Sequence, residues 1–342
     1  MMRSGLLRWL LVASAVLTAT ASQAQGGDKK DQGPLPIDEK TVGTVIDGVL
    51  KQLEENYVFP EVAAKMTKDI RKRQADQAYA KVKTGQELAQ LLTTHLQEVS
   101  RDKHLRVTFS STMLPKPPDG KGPTPEMKEK MRQKILKANA GYRKVEILSG
   151  NVGYLQLDGF ADAEYAAEPA AAAMNFLANT DALIIDLRKN GGGSPHGVAL
   201  LCSYFFDEKP VHLNSLYWRK GDRTEEFWTR KELAGKRYLG RDVYVLTSSR
   251  TFSAAEEFTY NLQTQKRATV VGETTGGGAH PGGTRPINDH FAMFVPTGRA
   301  INPITKTNWE GVGVRPDVEA AADQALEKAQ EVALKRIQEG TK

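Results

Sequence analysis

The chain has 342 residues, 40% of them hydrophobic and 26% charged. That is enough for one large domain or two modest ones, and it excludes wholesale disorder. The formal net charge is +6, but no dense Lys/Arg block is interleaved with aromatics, so nothing points to nucleic acid as a partner.

Residues 1–24 read as a secretory signal. Arg3 and Arg8 precede an apolar run over 9–21, which is short for a membrane span, and Ser22-Gln23-Ala24 offers small residues for cleavage. The expectation is an exported protein, periplasmic or secreted, with no stable membrane insertion after cleavage. No cysteine near that point could carry a lipid. The single cysteine, Cys202, lies beside Leu200 and Leu201 and reads as a buried small hydrophobe. Without a disulfide, the fold must rely on its core.

Residues 25–36 are rich in Gly, Asp, Lys, Gln and Pro and read as a flexible lead-in. Val42, Val45, Ile46, Val49, Leu50 and Leu53 then share one helical face. Pro60 opens a second helix lined by Val62, Met66 and Ile70. Thr84 and Glu87 form a capping box for a third, with Leu88, Leu91, Leu92, Leu96 and Val99 on one side. His95 falls within that apolar face and reads as a satisfied core histidine. Leu105, Val107 and Phe109 alternate as a strand, with Asp102 and His104 at its start. Residues 37–112 are thus expected to form an N-terminal three-helix bundle plus this strand.

Proline and glycine crowd residues 113–125, and a charged helix follows, so 113–140 reads as linker and helix. From 141 to 342 the pattern changes to α/β. Residues 144–148 and 152–157 read as strands, 163–178 as an Ala-rich helix, and 182–187 as a buried parallel strand. That strand ends in Arg188-Lys189-Asn190-Gly191-Gly192-Gly193, and a helix starts near Pro195. Strand, turn and helix recur over 243–266, followed by a short strand at 268–271, the glycine-rich run 276–278 and the alternating run 291–296. The fold class expected is α/β, a mostly parallel sheet with packed helices, preceded by the helical bundle.

Spacing disposes of several chemistries. There is no paired-cysteine zinc pattern and no H-E-x-x-H, so no metal is expected. The glycines at 191–193 lack the Gly-Lys-Ser/Thr of a P-loop and do not fit the dinucleotide pattern, so no cofactor is expected either. The stretch 247–256, T-S-S-R-T-F-S-A-A-E, follows the strand at 243–246 and leads into a helix at Ser253. A hydroxyl at a helix N-terminus sits where free N–H groups favour developing negative charge, which suits a nucleophile. The same Ser253 and Glu256 also fit the S-x-x-E capping box, a purely structural signature.

Four motifs in order resolve part of that ambiguity: D-L-R-x-N-x-G-G at 186–193, T-S-x-x-T-x-S-A-A-E at 247–256, V-V-G-E-x-T at 270–275 and E-G-x-G-V-x-P-D at 310–317. With them the chain resembles the tail-specific, or C-terminal processing, serine peptidases. The branch is the one typified by interphotoreceptor retinoid-binding protein, with the tricorn core protease and the chlamydial secreted protease as relatives. The resemblance implies a ClpP/crotonase-like core, Ser253 as nucleophile, and an oxyanion hole from the N–H groups of Ala254 and Gly192. The lysine base of the processing branch has no counterpart, because Gly278 stands at the matching position. Relatives without that lysine use a histidine from the N-terminal unit, oriented by a glutamate after the serine. His104 and Glu310 match those places, and His280 is the rival base. His196, His212 and His290 have no supporting context. The implied activity is hydrolysis of extended or unfolded polypeptides through a Ser-His-Glu triad and an acyl-enzyme. Residues 110–145 are too few for the PDZ module many members carry, so recognition of a free C-terminus is in doubt. The alternative is a non-catalytic binding protein for hydrophobic ligands or peptides on the same fold.

Overall fold

The computed structural model describes residues 36–114 and 124–340. The expected signal peptide, nearly all of the lead-in and part of the proline-rich loop lie outside the described residues. α1 (Glu39–Asn56) starts at Asp38, whose carboxylate accepts the Thr41 N–H at 2.8 Å. α2 (Pro60–Ala75) carries Pro60 in its first turn, where a missing N–H breaks no helical bond. α3 (Gly85–Ser100) begins with the capping box expected from Thr84 and Glu87. His95 is buried and pairs through Nδ1 with the Tyr79 hydroxyl at 3.0 Å. Val45, Ile46, Val49 and Leu53 of α1 are fully buried, each stabilising the fold by about 1.5–3 kcal/mol.

Downstream follow β1 (Arg106–Phe109), α4 (Pro125–Lys137), β2 (Tyr142–Leu148), β3 (Val152–Leu157), α5 (Ala163–Leu177), β4 (Ala182–Asp186), α6 (Pro195–Ser203), β5 (His212–Trp218), β6 (Arg223–Trp228), β7 (Asp242–Thr247), α7 (Ala254–Thr264), β8 (Thr269–Gly272), β9 (Gly282–Pro286), β10 (Phe291–Pro296), β11 (Gly298–Ile301), β12 (Val318–Glu319) and α8 (Ala325–Gly340).

The central sheet has the order β12-β8-β7-β4-β3-β2. Its pairs are parallel except at the edge, where β2 runs antiparallel to β3. Successive residues of a strand face opposite sides. Leu183, Ile185, Val243 and Val245 accordingly pack under α5, α6 and α7, while Ile184, Tyr244 and Leu246 meet Ala325, Ala329 and Ala333 of α8. The alanines let α8 approach the sheet closely.

Two features were not foreseen. β5 and β6 pair with each other and with β11 in a second sheet. β5 is the central strand of that sheet, and Leu213, Asn214, Ser215 and Leu216 are all buried, so both of its faces are covered and no period-two signal is left. The helical unit also does not fill its own core. β1 pairs antiparallel with β10, and Phe291, Met293 and Val295 of β10 pack among the helices. That pairing ties the strand behind His104 to the α/β half.

Candidate active site

β7 is buried along its length after Asp242, and its chain leaves the sheet at Ser248. The turn that follows is bolted to the end of β4: Ser248 Oγ donates to Arg188 O at 2.7 Å and Thr251 Oγ1 to Leu187 O at 2.9 Å. Ser253 then precedes α7 with φ 55° and ψ −122°. An ordinary N-cap residue is extended, as Thr84 is with φ −128° and ψ 154°. A left-handed serine costs on the order of 1–3 kcal/mol, and such strain persists only where surroundings impose it. Here Glu256 accepts the Ser253 N–H at 2.8 Å. Its oxygens also accept Thr275 Oγ1 at 2.5 Å, Gly277 N–H at 2.6 Å and Gly278 N–H at 2.8 Å. The residue expected to be a simple cap thus clamps the serine turn to the glycine-rich loop.

The glycine turn after β4 lies against this serine. A Cβ at Gly192 would come within 2.7 Å of Ser253 Cβ and 2.9 Å of Ala254 N, and its φ is +107°. Only glycine serves there. Asn190 is fully buried and fixes the turn, donating to Leu157 O and accepting the Gly192 N–H, both at 2.9 Å. The Gly192 amide, expected to face an oxyanion, is therefore already engaged. Among the described residues the N–H groups of Gly193 and Ala254 donate to no acceptor, and both residues line a cavity of about 50 Å³ beside Ser253. Arg188 pairs with Asp186 at 2.6 Å and donates to Ala322 O, so it braces the strand end.

His104 comes to the same place from the helical half. Its ring packs against Phe252, centroids 4.6 Å apart, and against Phe294 at 5.5 Å. A Cβ at Gly278 would lie 2.7 Å from His104 Cε1 and 2.2 Å from Phe252 Cζ. The position expected to match the lysine of the processing branch must be bare here for the imidazole to fit. His104 Nδ1 is buried without a partner. Burial pushes the His104 pKa down to about 4, and the nearby Asp102 charge offsets this only in part. No hydrogen bond joins His104 to Ser253 or to Glu310 among the described residues.

Glu310 lies one layer behind. Its carboxylate accepts Ala279 N–H at 2.5 Å and Lys103 N–H at 3.3 Å, the amides of residues flanking Gly278 and His104. It also approaches His280 Nδ1 at 3.5 Å. His280 Nδ1 bonds more closely to Asp102, at 2.7 Å, and Asp102 also accepts the Tyr57 hydroxyl at 3.0 Å. Burial would lower the His280 pKa, but the bond and charge of Asp102 outweigh it and hold the value above the ordinary one. Burial, then the Asp102 charge, raises Glu310 to about 7. Ligand-type atoms of Asp102, His280 and Glu310 lie within 4.8 Å of one another, a spacing a cation could bridge. The direct His280–Asp102 bond accounts for it without one.

Residues 151–320 match the model of peptidase family S41, and residues 39–143 match the N-terminal domain of Peptidase_S41 in eukaryotic IRBP. The chain belongs to peptidase family S41. A "Probable CtpA-like serine protease" of Staphylococcus haemolyticus (strain JCSC1435) is 25% identical over 193 residues, 56% of this chain and 37% of that protein. The match thus spans little more than a third of that relative's length. A solved structure from Parabacteroides merdae ATCC 43184 superposes with a TM-score of 0.60 at 17% identity, covering 86% of this chain and 96% of that one. A lipoprotein from Streptococcus agalactiae does so with 0.56 at 17%, covering 88% and 98%. At such identities the likeness shows the fold alone.

In this S41 chain the remaining histidines lie in other surroundings. His196 is 3.9 Å from Glu225, His212 stacks on Trp228, and His290 Nδ1 meets Ser110 O. Sequence reasoning gave Tyr57 no role and Asp102 only a place, with His104, at the start of a strand. Tyr57 lies at the end of α1, where nothing local announces a partner 45 residues away. Among the described residues no helix is long and apolar enough to cross a membrane.

Proposed function

We propose that this protein is an exported serine peptidase that hydrolyses extended polypeptide, with Ser253 as nucleophile. The observation that carries the reading is the backbone of Ser253. It is held left-handed at a strand-to-helix turn, with the Ala254 N–H unpaired beside it and a glycine turn pressed against its Cβ. Such a turn projects the hydroxyl out of the sheet and aims helix N-terminal amides at the oxygen of an attacked carbonyl. Ala254 supplies one amide. The glycine turn supplies the other, and in this geometry the unengaged N–H is that of Gly193, held in place by Gly192.

His104 is the base. Neutral at pH 7, it takes the serine proton as Oγ attacks the carbonyl carbon, and returns it to the amine as the C–N bond breaks. Water, deprotonated by the same ring, then hydrolyses the acyl-enzyme. Glu310 acts through the backbone of Lys103 and Ala279, which brackets the ring; it is a positioning residue in this arrangement. An apolar groove of about 400 Å³, lined by Ile135, Ala140, Phe160 and Gly192, ends at the glycine turn and offers an extended chain a path to Ser253.

The test is hydrolysis of denatured casein, with labelling of Ser253 by a fluorophosphonate. Wild-type protein is expected to cleave and to be labelled; Ser253→Ala should do neither while keeping its circular dichroism spectrum. Tight binding of a hydrophobic ligand, with no cleavage and no labelling of Ser253, would establish the carrier reading instead.

A further inference from the structure

The small cavity beside Ser253 has an unusual floor. Its walls are apolar, from Leu216, Ala254, Ala279, Ala300 and Trp309, but Glu257 closes it. Glu257 is only 5% exposed, and its Oε1 is buried with no hydrogen-bond partner. A buried polar atom left without a partner costs about 1–3 kcal/mol, and each such group in a native fold calls for a reason. A ligand group that enters the cavity would supply one.

The position of the cavity identifies the group. A carbonyl oxygen held by the Gly193 and Ala254 amides must lie over Ser253, and both residues line the cavity. The side chain that drops in therefore belongs to the residue whose carbonyl is attacked. The cavity is small, about 50 Å³, which favours a short side chain over an aromatic or long one. A carboxyl group accepts from a hydroxyl when ionised and can also donate to one when protonated.

We propose that Glu257 is a specificity-determining residue, which makes this site prefer a short hydroxyl-bearing side chain, serine or threonine, on the acyl side of the scissile bond over an apolar one of similar size. This rests on the reading of Ser253 as nucleophile. A side chain lacking the hydroxyl leaves the carboxyl unpaired, and such a mismatch is what a polar site rejects most strongly.

The experiment compares wild type, Glu257→Gln and Glu257→Leu on pairs of quenched fluorescent peptides that differ only in Ser or Ala before the scissile bond. Wild type is expected to favour Ser roughly ten- to hundredfold in kcat/KM. Glu257→Leu should bring the ratio to about one or reverse it, while Glu257→Gln keeps most of it. Equal ratios in wild type and Glu257→Leu, both folded, would overturn the proposal. The same peptides are titrated by fluorescence anisotropy against Ser253→Ala and Ser253→Ala/Glu257→Leu, where hydrolysis plays no part. A Ser preference in binding that vanishes with Glu257 supports the pocket even if wild type cleaves nothing, an outcome that sinks only the peptidase reading. Absence of any preference in both readouts sinks the pocket.

Discussion

Substituting Gly278 by Ala tests the placement of His104 without removing it. The added Cβ would sit 2.7 Å from His104 Cε1, and 2.2 and 2.6 Å from Phe252 Cζ and Cε2. Contacts that short force at least one ring to move. Overpacking of this kind typically costs about 1–3 kcal/mol, which in a domain of this size lowers Tm by roughly 2–4 °C per kcal/mol. The fold is therefore expected to survive. Catalysis is more demanding, because an imidazole displaced from the serine proton forfeits general-base assistance worth roughly a hundred- to ten-thousandfold. Cleavage of quenched peptides by Gly278→Ala should fall by about a hundredfold or more, and fluorophosphonate labelling of Ser253 should slow in parallel. Gly283 is the control, since a Cβ there meets nothing within 4 Å, and Gly283→Ala should leave both readouts near wild type. Full activity in Gly278→Ala, at unchanged or lowered Tm, would refute the placement of the base against this glycine.

The two histidines should separate by readout. His104→Ala is expected to abolish turnover with a small change in Tm. His280→Ala leaves buried Asp102 beside Glu310 without a compensating cation, so its main effect should be a loss of stability of roughly 3–5 kcal/mol in urea titrations. Turnover lost with His280 and kept without His104 would reverse the assignment. The acid limb of kcat/KM should fall through about pH 4, the value to which burial lowers His104, and not near the ordinary histidine value of about 6.5. The unfolded chain binds that proton first, so the contribution of His104 to stability is complete above about 6.5 and lost as pH falls toward 4, roughly 3 kcal/mol in all. Glu310 runs the other way. With its folded value raised to about 7, its contribution is complete below the ordinary carboxylate range and lost as pH rises through 7, so Glu310→Gln should flatten the fall in stability between pH 5 and 8. Asn190→Ala removes the bond to Leu157 O and frees the Gly192 amide. A loosened amide nest should lower kcat by about a hundredfold with less effect on KM.

The order of elements was legible because each leaves a local signature. The α1 face, the Thr84–Glu87 box and the apolar run of β4 depend on neighbours a few residues apart, and those patterns survive folding unchanged. β5 was not legible, because it is buried on both faces and polar Asn214 and Ser215 stand among its buried residues. The dependence of the helical core on Phe291, Met293 and Val295 was hidden for another reason. An apolar strand announces that it will be buried, but not against what.

At the site the same boundary falls between residue type and atom pairing. The serine turn at 253 and the glycine turn over 191–193 could be read from motif and turn chemistry. Which amide of the glycine turn stays free could not, since that depends on Asn190 folding back onto Gly192. Glu256 and Glu257 show the limit most clearly. They are adjacent, identical and both buried, and the rotation of roughly 100° between successive helical residues sets their side chains on different faces. Glu256 meets the loop over 275–278 and gathers four donors, whereas Glu257 faces the cavity and its buried Oε1 gathers none. The first completes the structure within the chain. The second leaves a hydrogen-bonding demand that the chain itself does not meet, and that unmet demand is what a substrate side chain can answer.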